Sequence, residues 1–125
     1  MRNPRLLYIG LALVILLAVA NFLAIIFYLY WTVWWVDMFT HFLAGLALGI
    51  LIIWFLRLEY KSSKAFFIVL GSLLVIGILW EIFEYINGIT SLTDDGYILD
   101  TTSDLVMDAV GAVAAYYLII TSPPQ

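Results

Sequence analysis

Long apolar stretches constrain this chain more than any other feature of its sequence. Residues 6–30 contain no charged side chain and only one strongly polar residue, Asn21. A helix needs about 20 mostly apolar residues to cross a hydrocarbon core of roughly 30 Å, and this stretch is long enough. Three further stretches, 38–56, 65–86 and 101–121, are also mostly apolar. The sequence therefore predicts an all-α, polytopic membrane protein in which four transmembrane helices form a bundle.

The composition supports a single integral membrane domain over residues 1–125. Hydrophobic residues make up 66% of the chain and charged residues 11%, and the mean hydropathy is +1.11. Soluble domains are nearer half apolar and a quarter charged, and a small soluble domain has little interior in which to hide apolar surface. A soluble enzyme, a disordered chain and a nucleic-acid-binding module are therefore excluded. The absence of cysteine excludes disulfides and thiolate metal sites.

The charged residues are sorted to opposite sides of the predicted bundle. The basic residues precede the first span or lie between the second and third spans; they are Arg2, Arg5, Arg57, Lys61 and Lys64. Because basic loops stay in the cytoplasm, this distribution predicts an N-in, C-in topology. All the acidic residues except Glu59 fall in the outer loops or the outer halves of the helices. We therefore expect an acidic region at the extracytoplasmic side.

Three motifs carry ionisable side chains into the outer halves of these helices. They are Asp37-x3-His41 at the start of the second helix, Glu81-x2-Glu84 at the end of the third, and Asp100-x3-Asp104-x3-Asp108 at the start of the fourth. Residues three or four apart share one face of a helix, so each motif forms a polar stripe. With a rise of about 1.5 Å per residue, the three stripes reach similar depths. We expect them to converge on one pocket.

Burial of these acids requires a compensating positive charge. A carboxylate in hydrocarbon costs about 2.5–3.5 kcal/mol on insertion scales, and no basic residue lies on this side of the membrane. Protons or a bound cation must therefore neutralise the cluster. Carboxylates combined with one imidazole suit Mg, Mn, Ca, Fe or Zn. The predicted metal ligands are His41, Glu81, Asp104, Asp108 and Asp100, and the predicted general bases are Glu84 and Asp37.

Structural roles are also open for some of these residues. Asp37 suits a helix N-cap, Asp100 suits a cap of the fourth helix, and a histidine at a membrane border can anchor the interface. Small residues continue the polar stripes at helical spacing; they are Gly45, Gly49, Gly77, Gly111, Ala112 and Ala115. Because small residues allow close helix packing in membranes, we expect the stripes to face the interior of the bundle.

The three motifs resemble a family of bacterial and archaeal inner-membrane proteins, the YjdF-like family. The resemblance covers roughly residues 37–117. It rests on Asp37-x3-His41-Phe42-x2-Gly45, Trp80-Glu81-x2-Glu84 and Asp100-x3-Asp104-x3-Asp108-x2-Gly111-Ala112. The chain is more distantly similar to VanZ-type membrane proteins, which are associated with glycopeptide resistance. The resemblance implies a small helical bundle in a prokaryotic cytoplasmic membrane and a grouping of the acids, without implying a particular reaction.

Three classes of function fit these features. The first is a metal-dependent hydrolase or transferase acting on lipid head groups or lipid-linked substrates, in which the ion offsets repulsion between the acids and a phosphate. The second is a divalent-cation or proton-coupled transporter, although the inner halves of the helices carry almost nothing polar. The third is a structural module stapled by a cation. The expected partners are membrane lipids, a lipid-linked substrate and further copies in a homo-oligomer, with no nucleic acid.

Overall fold

The computed structural model describes residues 3–59 and 62–121, which form a bundle of helices. The helices are α1 (Pro4–Ile26), α2 (Leu29–Thr32), α3 (Val36–Leu56), α4 (Ser63–Ile86) and α5 (Tyr97–Ile120). All except α2 are long and apolar enough to cross a membrane, and no strand occurs among the described residues. The prediction of an all-α fold with four spans is confirmed. Arg2 and Lys61 lie outside the described residues, and the N-in, C-in topology stays a prediction.

The first span ends earlier than the sequence predicts because the chain turns at Tyr28. This residue adopts a left-handed backbone conformation with φ of 54°, which side-chain-bearing residues rarely adopt and which interrupts a right-handed helix. The amide of Phe27 still donates a helical hydrogen bond to the carbonyl oxygen of Leu23, so the last helical turn is complete before the chain turns. The uncharged aromatic residues around Tyr28 contain no glycine or proline that would signal this break.

The last span begins earlier than the sequence predicts. Gly96 has φ of 87° and immediately precedes α5, and glycine adopts this conformation without steric cost. As a consequence Asp100 lies in the first turn of α5, where a carboxylate interacts favourably with the positive end of the helix dipole. Its side chain is exposed at this position.

Helix α3 is the centre of the bundle. It packs most extensively against α5 and also contacts α1 and α4. Two glycines allow the backbones of α3 and α5 to touch. A Cβ atom on Gly45 would clash with the carbonyl oxygen of Asp108, and one on Gly111 would clash with the carbonyl oxygen of Phe42. The two helices therefore approach closely at the depth where the acidic motifs meet.

The apolar core occupies the end of the bundle opposite the acidic motifs. We call this the basic end, because Arg57 and Lys64 flank the connection between α3 and α4 there; the other is the acidic end. The core consists of the buried residues Leu6, Ile50, Ile53, Val69, Leu73, Ala112, Ala115 and Ile119. Since apolar packing holds the helices together at the basic end, the polar groups at the acidic end are free to form a site.

The close approach of α3 and α5 predicts that Gly111→Ala lowers the free energy of unfolding by about 1–3 kcal/mol, a typical cost of overpacking. The clash is with backbone atoms, which cannot rotate away. Gly71→Ala is the matched control, because no atom lies within 4 Å of a Cβ at Gly71. Unfolding of the two variants in detergent measures the difference. Equal stability of both variants would show that the helices are not in backbone contact.

Candidate metal centre

Two helix faces supply the polar side chains of the candidate site. Asp37 and His41 lie one turn apart on α3, and Asp104 and Asp108 lie one turn apart on α5. This spacing directs each pair toward the facing helix. Asp104 and Asp108 are buried, with 3% and 5% of their surface exposed. The His41 side chain is 12% exposed and that of Asp37 is 38% exposed, so the site reaches the surface on the Asp37 side.

Asp37, His41 and Asp104 form a group with the geometry of a metal site. The His41 Nε2 atom lies 3.8 Å from Asp37 Oδ1 and 3.8 Å from Asp104 Oδ2. One ligand atom from each residue lies within 4.8 Å of the others. Bonds of about 2.0–2.5 Å place neighbouring ligands of one divalent ion about 3–4 Å apart. These three residues therefore fit a divalent ion with little movement.

Asp108 contacts the other side of the imidazole. Its Oδ1 atom lies 3.2 Å from His41 Nδ1. Because a carboxylate only accepts hydrogen bonds, this contact requires the proton on Nδ1, which leaves the lone pair of Nε2 facing Asp37 and Asp104 in the neutral ring. Carboxylates commonly orient metal-binding histidines in this way. In the structure Asp108 contacts the ring nitrogen opposite the three-residue group, whereas the sequence predicts it as a direct ligand, and its role stays a prediction.

The position of Asp108 depends on two glycines. Its carbonyl oxygen packs against Gly45, as described above. Its Oδ2 atom lies 2.7 Å from the position that a Cβ on Gly77 would occupy. A larger residue at position 77 would therefore displace the carboxylate that orients His41. Gly77 belongs to α4, so all three of the packed helices α3, α4 and α5 contribute to the site.

The predicted ligands Glu81 and Asp100 lie outside the three-residue group. Glu81 is buried, with 8% of its surface exposed, and its Oε2 accepts a hydrogen bond of 2.7 Å from the Thr101 hydroxyl. This bond links α4 to α5. The Oε1 atom of Glu81 and the Oδ1 atom of Asp104 are buried without a hydrogen-bond partner. Asp100 is exposed at the first turn of α5.

Glu84 lines a cavity of about 420 Å³ beside the group. The indole nitrogen of Trp80 donates a hydrogen bond of 2.9 Å to its Oε1, which holds the carboxylate at the wall. Asp37, His41 and Asp108 line the same cavity. Glu84, the predicted general base, therefore lines the same cavity as two members of the candidate metal group, Asp37 and His41.

The sequence did not predict a second polar network at this cavity. The Tyr30 hydroxyl donates a hydrogen bond of 2.6 Å to Asn21 Oδ1 and lies 3.4 Å from Thr40 Oγ1. It thereby connects α1 with α3. Burial raises the pKa of Tyr30 above its ordinary value, so the hydroxyl remains a donor. Asn21 was the one available signal, because it is the only strongly polar residue in its apolar stretch.

The electrostatics of the group favour a cation. Two carboxylates and an imidazole lone pair face one another across less than 5 Å, and like charges at this distance repel strongly where water is scarce. Among the described residues, the only basic side chain within 4.0 Å of a carboxylate at the acidic end is His41. A divalent ion among the three ligand atoms would offset this repulsion. Such an ion can polarise a phosphoryl or carbonyl oxygen and lower the pKa of water.

Comparisons with known proteins identify one family. The sequence pattern of the family described as "Predicted membrane protein (DUF2238)" matches residues 1–122. No curated protein and no solved structure matches the chain. The family match supports a membrane protein over almost the full sequence. The family description names no activity, so the chemistry of the site is argued from its geometry.

The packing around Asp108 predicts that Gly77→Ala changes the environment of the His41 ring. The added methyl group displaces the Asp108 carboxylate, and the ¹⁵N resonance of Nδ1 should shift. Only one histidine occurs in the sequence, so the signal is unambiguous. Gly71→Ala, on the same helix with open space around it, should leave the resonance unchanged. An unchanged Nδ1 signal in Gly77→Ala would show that Asp108 does not orient the imidazole.

Proposed function

The chain belongs to the family of predicted membrane proteins DUF2238, and from this premise we propose that it is a metal-dependent membrane hydrolase or transferase. Its divalent ion is held by Asp37, His41 and Asp104, and its substrate is a lipid or a lipid-linked molecule. One observation carries the proposal: the three ligand atoms cluster within 4.8 Å of one another, beside a cavity lined by both polar and apolar side chains.

The depth of the group supports a substrate from the membrane. Asp37 and His41 lie in the first turns of α3, close to the end of a span, where head groups meet hydrocarbon. The charge distribution supports an extracytoplasmic position for this end, since Arg5, Arg57 and Lys64 flank the opposite end. We therefore propose a site that opens to the outer leaflet of a prokaryotic cytoplasmic membrane.

Each polar residue has a distinct role in the proposed reaction. Asp37, His41 and Asp104 would hold the ion, which when bound would polarise an oxygen of the scissile ester or phosphoester and offset negative charge on the substrate. Glu84 would take a proton from the attacking water or hydroxyl as general base and return it to the leaving oxygen as the scissile bond breaks, with Trp80 fixing one of its carboxylate oxygens. Asp108 keeps the His41 ring in the orientation that presents Nε2 to the ion.

The wall of the cavity favours an enzyme over a transporter. Its polar lining ends near His41 and Asp108, and apolar residues continue toward the basic end; among them are Leu48, Leu73 and Ile76. An ion that crossed the membrane would need polar or hydrated groups along its whole path. The cavity therefore supports access from one side only. We also propose that the chain is related to the YjdF-like and VanZ-type proteins, because the acidic motifs have a similar arrangement.

The proposed metal centre predicts that divalent ions stabilise the protein. An ion at about a hundred times its Kd stabilises a fold by about 2.7 kcal/mol. Chelation of the purified protein should therefore lower the unfolding temperature in detergent, and one of Mg²⁺, Mn²⁺, Ca²⁺, Fe²⁺ or Zn²⁺ should restore it. The effect should weaken in acid, because protons compete for His41 Nε2 and the carboxylates.

The variant Asp104→Asn distinguishes two explanations for the cluster: a bound metal ion, or ion pairs with a protonated His41. If the ion compensates two repelling carboxylates, this variant should lose the response to metal and be at least as stable as the chelated wild type. Asp95→Asn, an exposed change in the loop before α5, should retain the response. A chelated Asp104→Asn protein that is less stable than the wild type, with no metal response in either, would show that a protonated His41 holds the acids together.

Enzyme activity is tested by incubating the metal-loaded protein with bacterial polar lipids and measuring head-group release or transfer by mass spectrometry. Glu84→Gln should reduce turnover by about 10²–10⁴-fold, the usual contribution of a general base, and should keep the stabilisation by metal. Glu59→Gln removes an exposed charge at the basic end and should leave turnover unchanged. A metal-loaded wild type that converts no lipid would contradict the proposed enzyme.

A further inference from the structure

A cleft separates α1 from α4 at the acidic end of the bundle. The two helices form opposite walls of the 420 Å³ cavity. No Cα atom of α1 lies within 8 Å of a Cα atom of α4 among the described residues. Helix α1 packs on α3, and α4 packs mainly on α5. The space between them is therefore bounded by side chains and faces the surrounding bilayer.

The lining of the cleft changes from polar to apolar along its depth. The polar residues lie toward the acidic end and are Asn21, Tyr30, Asp37, Thr40, His41, Trp80, Glu84 and Asp108. The apolar residues lie deeper in the membrane and are Val14, Leu17, Leu48, Leu73 and Ile76. A molecule that fills the cleft must match both parts. Only an amphiphile with a polar head and a hydrocarbon tail does so, with the tail parallel to the helices.

The charge of the polar part restricts the head group. Three carboxylates, those of Asp37, Glu84 and Asp108, line the cleft, and no lysine or arginine lines the part that the structure describes. Aromatic rings of Tyr30 and Trp80 also border it, and aromatic faces attract cations. A purely anionic head group would therefore be repelled by the carboxylates. An ammonium group would be attracted by both the carboxylates and the rings.

We propose that the cleft between α1 and α4 binds one lipid whose head group carries an ammonium group. The ammonium lies against Glu84 and the Trp80 ring, and an acyl chain extends along the apolar residues toward the basic end. In a zwitterionic phospholipid the phosphate would lie on the side of Asp37 and His41. The proposal deepens the proposed function by naming its substrate class, and it rests on that function for the phosphate contact alone.

Lipid competition tests this proposal on the complete protein. The purified chain in detergent is mixed with equal amounts of phosphatidylethanolamine and phosphatidylglycerol that have the same acyl chains. Native mass spectrometry then counts the bound lipids. We expect one phosphatidylethanolamine per protein, favoured by about tenfold, as expected for a partly buried charged contact. Equal occupancy by the two lipids, or a preference for phosphatidylglycerol, would overturn the proposal.

Two matched pairs of variants locate the binding. Ala18→Trp fills the cleft from α1 and should abolish the bound lipid, whereas Ala12→Trp, exposed on the same helix outside the cleft, should retain it. Glu84→Gln should remove the head-group preference, whereas Asp95→Asn should keep it. Retention of the lipid by a folded Ala18→Trp protein would place the binding elsewhere.

Repeating the competition with chelator and with added metal separates this inference from the proposed function. Selective lipid binding by a protein that takes up no metal would support the lipid site and contradict the metal centre. Metal uptake without head-group preference would support the metal centre and overturn the lipid site. A cooperative unfolding transition, measured for each variant, serves as the control that the variant is folded.

Discussion

The backbone contact between α3 and α5 is the constraint on which the rest of the structure depends. Gly45 lies against the carbonyl oxygen of Asp108, and Gly111 lies against the carbonyl oxygen of Phe42. The two contacts are reciprocal, so they fix both the separation and the register of the helices. With the register fixed, His41 of α3 lies between the two aspartates of α5. A side chain at either glycine would separate the helices and disperse the site.

This packing buries the carboxyl groups of Asp104 and Asp108, and burial of a charged group costs desolvation free energy. Such a cost indicates a functional role for these residues. Apolar side chains of similar size would pack the same helices without the desolvation penalty that buried charges carry. Asp104 is nevertheless almost fully buried, and one of its oxygens lacks a hydrogen-bond partner. Ionisable residues retained within membrane spans generally mark a functional site. A cation held with Asp37 and His41, as proposed, would offset the charge of the buried Asp104 carboxylate at its other oxygen, Oδ2.

The sequence predicted the spans and the convergence of Asp37 and His41 with Asp104 and Asp108, because hydropathy and helical spacing determine both. It could not predict the roles within the site. Asp104 and Asp108 share one face of α5, yet they face different nitrogens of the same ring, a distinction that depends on the relative depth of two helices. Glu81 lies outside the three-residue group and accepts a hydrogen bond from Thr101, a difference that depends on the rotation of α4, which spacing within one helix does not determine. The contact between Tyr30 and Asn21 depends on the turn at Tyr28, which no residue signals.

The separation of α1 from α4 follows from the same packing. Gly45 and Gly111 bring α5 against one side of α3, and α4 follows α5 through contacts such as that between Gly77 and Asp108. Helix α1 then packs on the remaining side of α3, apart from α4. The site therefore has a packed wall on the α5 side, where His41 is oriented, and an open wall toward α1. A packed group of polar side chains and an open cleft beside it thus arise from one arrangement of helices.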